Sequence, residues 1–138
     1  IGGQGFGFEY DEDGNPLHFP HYGRIEIGDD VWIGACSTVE IGGLGATIIC
    51  DGCKVDDLVQ IGHNTIIGRN TLITANTVIC GGAKIGEKCW VAPNSVVKEK
   101  VKVGNRATIG LGSVVIRNVE DDLVVAGVPA APLKPKSK

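Results

Sequence analysis

Histidine is the residue type that decides what chemistry this 138-residue chain can do. Of His18, His21 and His63, only His63 lies in a regular sequence pattern, and the glycine pair Gly81-Gly82 follows it eighteen residues later. An imidazole titrates near neutral pH and therefore suits a general base. Bare backbone beside it would leave an amide N–H open to a substrate oxyanion. The pattern favours acyl transfer, with His63 as base and Gly81 as oxyanion donor.

Polar residues just before and after His63 are candidates for supporting roles. Asp56 and Asp57 precede it by seven and six residues, and either could orient the imidazole; solvated turn carboxylates are the alternative. Gln60 and Asn64 are candidates for hydrogen bonds to the substrate. No Ser or Cys is placed as a nucleophile beside the histidine, so we expect direct transfer from a thioester to an amine or hydroxyl.

The five cysteines do not predict a metal or redox site. Cys50 and Cys53 form one C-x-x-C pair, but no second pair follows and no histidine stands at zinc spacing. A catalytic zinc would need three ligands, and His63 is the only histidine in the regular pattern. We expect free buried thiols, no metal and no tightly bound cofactor.

The elements that must position His63 follow from a six-residue period. Every sixth residue from 49 to 115 is Ile or Val, and a residue that is small or β-branched stands four places after each of the first eleven. A period of six fits a short strand and a turn, and three such units make one coil of a parallel β-helix. The sequence predicts an all-β protein: an irregular N-terminal loop or hairpin (1–24), a β-helix of about five coils (25–117) and a short C-terminal extension (118–138).

Two details of the repeat carry further predictions. An earlier run, Ile27, Ile33 and Val39, has the same period in a shifted phase, so residues 42–45 must bulge from the coil. At intervals of eighteen, one outward column holds Gln60, Val78, Val96 and Val114, and another holds Lys54, Leu72, Trp90 and Thr108. These columns expose more apolar surface than a soluble monomer usually tolerates, which predicts a subunit interface; cover by the flanking segments is the alternative.

Composition excludes several classes of function. The net charge is −3, so we expect no nucleic-acid binding. No apolar run is long enough for a membrane span, and no secretory signal peptide is present, so we expect a cytoplasmic protein. The sequence contains no Met, from which we expect a chain that begins inside a longer gene product.

Residues 55–64, with the string Val-Asp-Asp-Leu-Val-Gln-Ile-Gly-His-Asn, resemble the active-site segment of the UDP-3-O-acylglucosamine N-acyltransferases of lipid A biosynthesis, which are hexapeptide-repeat acyltransferases. Residues 5–8, 24–31 and 44–52 are similar to the same family. The resemblance implies a left-handed β-helix and a homotrimer. It also implies His63 as general base, Asp56 as its orienter and the Gly81 amide as oxyanion hole, with Gly82 and Phe6 as further substrate contacts.

Departures from that family leave the acyl donor open between acyl carrier protein and coenzyme A. Lys100 stands where the family has a second histidine, and Asp57 where it usually has Asn. The family's uridine-binding domain and long C-terminal helices have no counterpart here. Residues 126–130 and the basic tail of Lys134, Lys136 and Lys138 look like coenzyme-A-dependent sugar acetyltransferases. The acceptor is a sugar or sugar nucleotide. The alternatives are an O- or N-acetyltransferase of a small sugar or antibiotic, and a non-enzymatic scaffold.

Overall fold

The structure, a computed structural model, describes residues 1–133. Its strands are short because a turn follows each inward-pointing aliphatic residue. In chain order they are β1 (Phe8–Tyr10), β2 (Pro16–His18), β3 (Arg24–Ile27), β4 (Trp32–Ile33), β5 (Thr38–Val39), β6 (Ala46–Ile49), β7 (Lys54–Val55), β8 (Gln60–Ile61), β9 (Ile66–Ile67), β10 (Leu72–Ile73), β11 (Val78–Ile79), β12 (Lys84–Ile85), β13 (Trp90–Val91), β14 (Val96–Val97), β15 (Lys102–Val103), β16 (Thr108–Ile109), β17 (Val114–Val115), β18 (Val124–Ala126) and β19 (Ala131–Pro132).

From β3 to β17 every third strand stacks on the same side of a coil, which gives three sheets, and β18 and β19 add to one of them. Face 1 contains β3, β6, β9, β12 and β15; face 2 contains β4, β7, β10, β13, β16, β18 and β19; face 3 contains β5, β8, β11, β14 and β17. Successive coils pair in parallel, and only β19 runs antiparallel to its neighbour. β1 and β2 form a separate hairpin. The predicted all-β parallel β-helix of hexapeptide repeats is confirmed.

The register confirms the predicted bulge. Above the second coil the pairing advances by eighteen residues, as in Leu72 opposite Trp90. Between the first and second coils it advances by twenty-two, as in Thr38 opposite Gln60. The four additional residues are the segment 42–45, which leaves the coil before β6 begins.

The core is a column of aliphatic side chains inside the coil. Ile49, Ile61, Ile67 and Ile79 are fully buried, each at the inward position of its strand. Burial of one such side chain contributes about 1.5–3 kcal/mol. The inward residue four places later is smaller and often polar: Thr71 is also buried, and its hydroxyl donates to the carbonyl of Gly86 at 2.7 Å.

Each regular turn contains one residue in the left-handed backbone region, three places after the inward aliphatic residue. Asn64, Asn70 and Asn76 take this conformation, as do Gly52 and Gly82 in other turns. Asn and Gly adopt it at low cost, whereas other residues pay about 1–2 kcal/mol. The sequence pattern did not reveal this position because several turns place Lys, Arg or Leu there.

Lys88 offers a test of that cost, because it has a φ of 54° and is exposed. Lys88→Gly removes a steric penalty of about 1–2 kcal/mol and adds a chain-entropy cost of roughly 0.5–1 kcal/mol. We expect the free energy of unfolding to rise by up to about 1 kcal/mol. Lys84→Gly is the matched control, since Lys84 is exposed on the same coil in β12. It should lower stability by about 0.5–1 kcal/mol, and equal effects of the two changes in urea titrations would contradict the assignment.

The coil extends past residue 117 into part of a further turn. Val119 bridges to Val103, and β18 pairs with β16 so that Val124 lies opposite Thr108. This pairing advances by sixteen residues, so it falls out of phase with the six-residue period. β19 then caps β18. The basic tail of Lys134, Lys136 and Lys138 lies outside the described residues.

The outward columns lie as the sequence pattern predicted. Face 3 presents Gln60, Val78, Val96 and Val114 in register, and face 2 presents Lys54, Leu72, Trp90 and Thr108. Face 2 also carries Trp32, with 66% of its surface exposed. A subunit interface on these faces stays a prediction. Within residues 1–133 no helix has the length and apolarity to cross a membrane.

Candidate active site

His63 lies in the turn between face 3 and face 1, directly after β8. Its side chain points outward and is half-buried. The backbone here is fixed from the preceding coil: the N–H of His63 donates to Oε2 of Glu40 at 3.0 Å, and the N–H of Asn64 donates to Oγ1 of Thr47 at 2.8 Å. The turn that carries the imidazole is therefore held by side chains as well as by sheet pairing.

Asn64 fixes the protonation pattern of the imidazole. Its Oδ1 lies 3.1 Å from Nδ1 of His63 and also accepts the N–H of Gly43 at 2.9 Å. The Gly43 donor identifies that atom as the amide oxygen, so neutral His63 carries its proton on Nδ1. Nε2 then has a free lone pair. The arrangement leaves Nε2 as the basic atom.

Gly81 lies one coil further along, against the basic edge of the ring. A Cβ built on Gly81 would lie 2.5 Å from Nε2 of His63 and 2.9 Å from Cδ2 and Cε1. Its φ is not positive, so the backbone itself does not demand glycine. Among the described residues, the N–H of Gly81 donates to no backbone or side-chain acceptor. The missing side chain therefore leaves room for the His63 ring, whose Nε2 edge packs directly on the Gly81 backbone.

The two aspartates do not contact His63 within one chain. Asp56 follows β7, one corner earlier, and lines a cavity of about 280 Å³ on face 2 with Trp32 and Leu72. Asp57 accepts the N–H of Ala35 at 2.6 Å. The orienting position at Nδ1, predicted for Asp56, is taken in this chain by Asn64.

A cleft of about 690 Å³ opens beside His63, between the coil and the N-terminal segment. The segment is tied down at its end, where the N–H of Tyr22 donates to the carbonyl of Gly43 at 2.7 Å. Bulge residues 43–45 form another wall. The lining combines aromatic, bare-backbone and charged groups: Gly7, Phe8, Glu9, Phe19, His21, Gly43, Leu44, Gly45, His63, Asn64 and Lys100.

Three of the predicted substrate contacts, Gly82, Gln60 and Phe6, are not part of the cleft lining. The N–H of Gly82 donates to the carbonyl of His63 at 2.7 Å, so that amide is occupied. Gln60 is exposed on face 3, and its amide nitrogen lies 3.4 Å from Glu40 Oε1. Phe6 is 87% exposed, and its ring packs at 58° against that of Phe8, which lines the cleft while Phe6 does not. The structure brings His63, Gly81 and Asn64 together, and it leaves Gln60 and Phe6 apart from them.

The cysteines show no nucleophilic or metal-binding arrangement within residues 1–133. All five are free, and no group of three His, Cys, Asp or Glu side chains there could hold a metal ion. Burial raises the pKa of the Cys50, Cys53, Cys80 and Cys89 thiols, which disfavours the reactive thiolate.

Asn64→Gly tests the orienting amide without straining the turn, because glycine accepts the left-handed backbone at this position. Without the acceptor at Nδ1, the His63 ring can rotate and its proton can move from Nδ1 to Nε2. We therefore expect kcat for acyl transfer to fall about ten- to one-hundred-fold. Asn70→Gly is the matched control, since Asn70 has the same conformation at the next corner; its kcat should stay within about two-fold of the parent. Equal kcat values for the two variants would exclude an orienting role.

Sequence reasoning missed two features of this site. His21 contacts His63 from the N-terminal segment, which has no period to place it. Glu40 supports the turn across the irregular twenty-two-residue step, where counting by eighteen fails. Gly5 and Gly7 are the sequence feature that could have indicated the His21 contact, because glycines in an irregular segment often mark places where the backbone packs closely against another group.

Comparison with known proteins places the chain among transferases. The family model "Bacterial transferase hexapeptide (six repeats)" matches residues 46–81 and 82–117, which is more than half of the chain, and "Hexapeptide repeat of succinyl-transferase" matches 24–56. A UDP-3-O-acylglucosamine N-acyltransferase 2 from Legionella pneumophila is 41% identical over 94% of this chain and 38% of its own length. A probable mitochondrial one from Arabidopsis thaliana is 36% identical over 96% of this chain and 44% of its own length.

Solved structures agree on the fold. A UDP-N-acetylglucosamine O-acyltransferase from Moraxella catarrhalis superposes with a TM-score of 0.85 at 23% identity, over 96% of this chain and 50% of that one. A UDP-N-acetylglucosamine acyltransferase from Arabidopsis superposes with a TM-score of 0.78 at 27% identity, over 80% of this chain and 39% of that one. The chain spans less than half the length of the curated relatives it matches. It belongs to the hexapeptide-repeat transferases, a family of enzymes, and is related to the UDP-3-O-acylglucosamine N-acyltransferases.

Proposed function

We propose that this protein transfers an acyl group from a thioester to an amino group of a sugar nucleotide, with His63 as general base. One observation carries the proposal: neutral His63 has its proton on Nδ1 and its lone pair on Nε2, and the ring lies in the wall of the cleft with its Nε2 edge packed on the bare backbone of Gly81. A base with its proton fixed on the far nitrogen and its basic edge beside a backbone amide at a cleft is what deprotonation of a nucleophile requires.

The reaction follows from that geometry. The acceptor amine attacks the thioester carbonyl carbon while its proton passes to Nε2 of His63. The carbonyl oxygen gains negative charge in the tetrahedral intermediate, and the Gly81 N–H is the donor placed to stabilise it. The C–S bond then breaks, and the imidazolium returns its proton to the departing thiolate. The products are an amide and a free thiol, and the base is regenerated.

Asn64 stabilises both protonation states of this cycle. Its Oδ1 accepts the Nδ1 proton whether Nε2 is free or protonated. An amide acceptor fixes the ring without adding a negative charge to the cleft. Lys100 supplies a cationic amine in the cleft lining, suited to the developing oxyanion or the thiolate.

We also propose that the active unit is a homotrimer. Asp56 and His63 lie at opposite edges of face 3, before and after β8, so any role for Asp56 at His63 requires the carboxylate of a second copy, and it is a role beside Asn64, which already holds Nδ1. The exposed Trp32, Leu72 and Trp90 on face 2 and the half-buried valine column on face 3 supply surface for such contact. Analytical ultracentrifugation should give three times the chain mass, and a monomer would exclude any role for Asp56 at His63. We also propose that the transfer takes place in the cytoplasm, with acyl carrier protein or coenzyme A carrying the acyl group.

The test of the function is a transfer assay with two donors. The 138-residue chain is given UDP-3-O-acylglucosamine as acceptor, with either acyl carrier protein or coenzyme A carrying the same acyl group. Amide formation with acyl carrier protein supports the full proposal. Transfer only from acetyl-coenzyme A, to a small amino sugar, would favour the acetyltransferase alternative. Release of thiol without amide would show thioester hydrolysis and overturn acyl transfer to the sugar, and no product with any donor would overturn the proposal and leave a scaffold.

A further inference from the structure

His21 belongs to the N-terminal segment, yet it is buried, with only 4% of its surface exposed. Its ring meets that of His63 edge to face, with centroids 5.0 Å apart and planes at 71°. The proposed mechanism gives it no task. A buried imidazole from an irregular segment needs a reason to be there, because burying a polar side chain costs free energy unless its groups are bonded.

The segment holds His21 in one orientation. Its Nδ1 lies 3.0 Å from the carbonyl oxygen of Phe19 and donates to it. Its backbone N–H donates to Oε1 of Gln4 at 2.7 Å, and the Gln4 amide nitrogen donates back to the His21 carbonyl at 3.3 Å. The ring and the backbone of His21 are therefore both fixed, and they are fixed by groups that do not touch His63.

The backbone opposite His21 is also shaped to admit the pair of rings. Gly5 is buried, and a Cβ there would lie 2.5 Å from Nε2 of His21 and 3.0 Å from Cδ2 of His63. A Cβ at Gly7 would lie 2.9 Å from Cε1 of His21. Gly5 and Gly7 thus leave the volume in which the two imidazoles meet.

We propose that His21 is a positioning residue that holds the His63 ring in its reactive orientation; this rests on the proposed function. Rotation about the last side-chain bond of histidine has a broad energy minimum, so one hydrogen bond does not fix the ring. Asn64 holds Nδ1, Gly81 limits the Nε2 side, and His21 packs against the remaining edge. The N-terminal segment thereby becomes part of the catalytic apparatus.

The test compares His21→Ala with His21→Phe, which keeps a flat ring at the same contact. His21→Ala should lower kcat about ten-fold while the KM for the acceptor stays within about two-fold, and His21→Phe should restore most of the loss. Gly5→Ala places a methyl group between the rings and should lower kcat to a similar degree. It serves in place of His21→Ala if that variant does not fold. A proportional rise in KM with kcat unchanged would overturn the proposal.

Solution NMR separates this proposal from the function it rests on. The wild-type chain should show ring-to-ring NOEs between His21 and His63, and relaxation of the His63 ring carbons should indicate a rigid side chain. In His21→Ala the His63 ring should become mobile, and in His21→Phe it should be rigid again. If the wild type transfers no acyl group, the proposed function is wrong, but these spectra still show whether His21 packs against His63 and restricts its ring. A His63 ring equally rigid without His21 would overturn the positioning role.

Discussion

His63→Ala is expected to lower kcat for acyl transfer by about 10²–10⁴-fold, the range that a positioned general base contributes. The loss should fall on kcat, since the imidazole acts on the proton that moves in the transition state and contributes little to holding the substrates. Steady-state rates with saturating donor and acceptor measure the effect. The urea midpoint should stay close to that of the parent chain, because the half-buried side chain lies outside the aliphatic core.

Two controls distinguish loss of a base from distortion of the cleft. Added imidazole should restore part of the rate of His63→Ala, because the vacated volume faces the same open space beside Gly81. In the parent chain the rate should fall on the acid side of the pH profile as an imidazole becomes protonated. A rate that is flat from pH 5 to 8, or a variant that keeps its activity, would contradict base catalysis by His63.

The repeat is the part of the fold that the sequence predicts directly, because each inward position is filled by Ile or Val, which are buried in the core. Ile61 and Ile79 must be buried, and their spacing then places His63 and Gly81 outward on adjacent coils. The alignment of the base with the bare backbone is a direct consequence of an eighteen-residue coil. Counting residues was enough to predict that pair.

Residues that act across irregular segments could not be placed in this way. His21 reaches His63 through a loop whose path depends on hydrogen bonds from Gln4 and Tyr22, and no period encodes that path. Asp56 illustrates the same limit. Seven residues separate it from His63, but one six-residue unit carries the chain around a corner, so within one chain the two side chains emerge at different edges of face 3.

Gly81→Ala should lower kcat about one-hundred-fold, because the new methyl group would stand 2.5 Å from Nε2 and displace the ring by about an ångström or more. The crowding should also lower the free energy of unfolding by roughly 1–3 kcal/mol. The backbone is not the obstacle: Ala75 occupies the equivalent place in its own turn, two residues after Ile73, and the φ of Gly81 is not positive.

The sign of the stability effect should therefore depend on His63. In a His63→Ala background the volume is vacant, and Gly81→Ala then reduces the freedom of the unfolded chain, which stabilises by about 0.4–1 kcal/mol. Urea titrations of the four proteins in this cycle measure a coupling that only direct contact produces. Additive effects would mean that the ring and Gly81 do not touch. In that case Nε2 would not lie beside the Gly81 amide, and the base and the oxyanion donor could not act on the same carbonyl group.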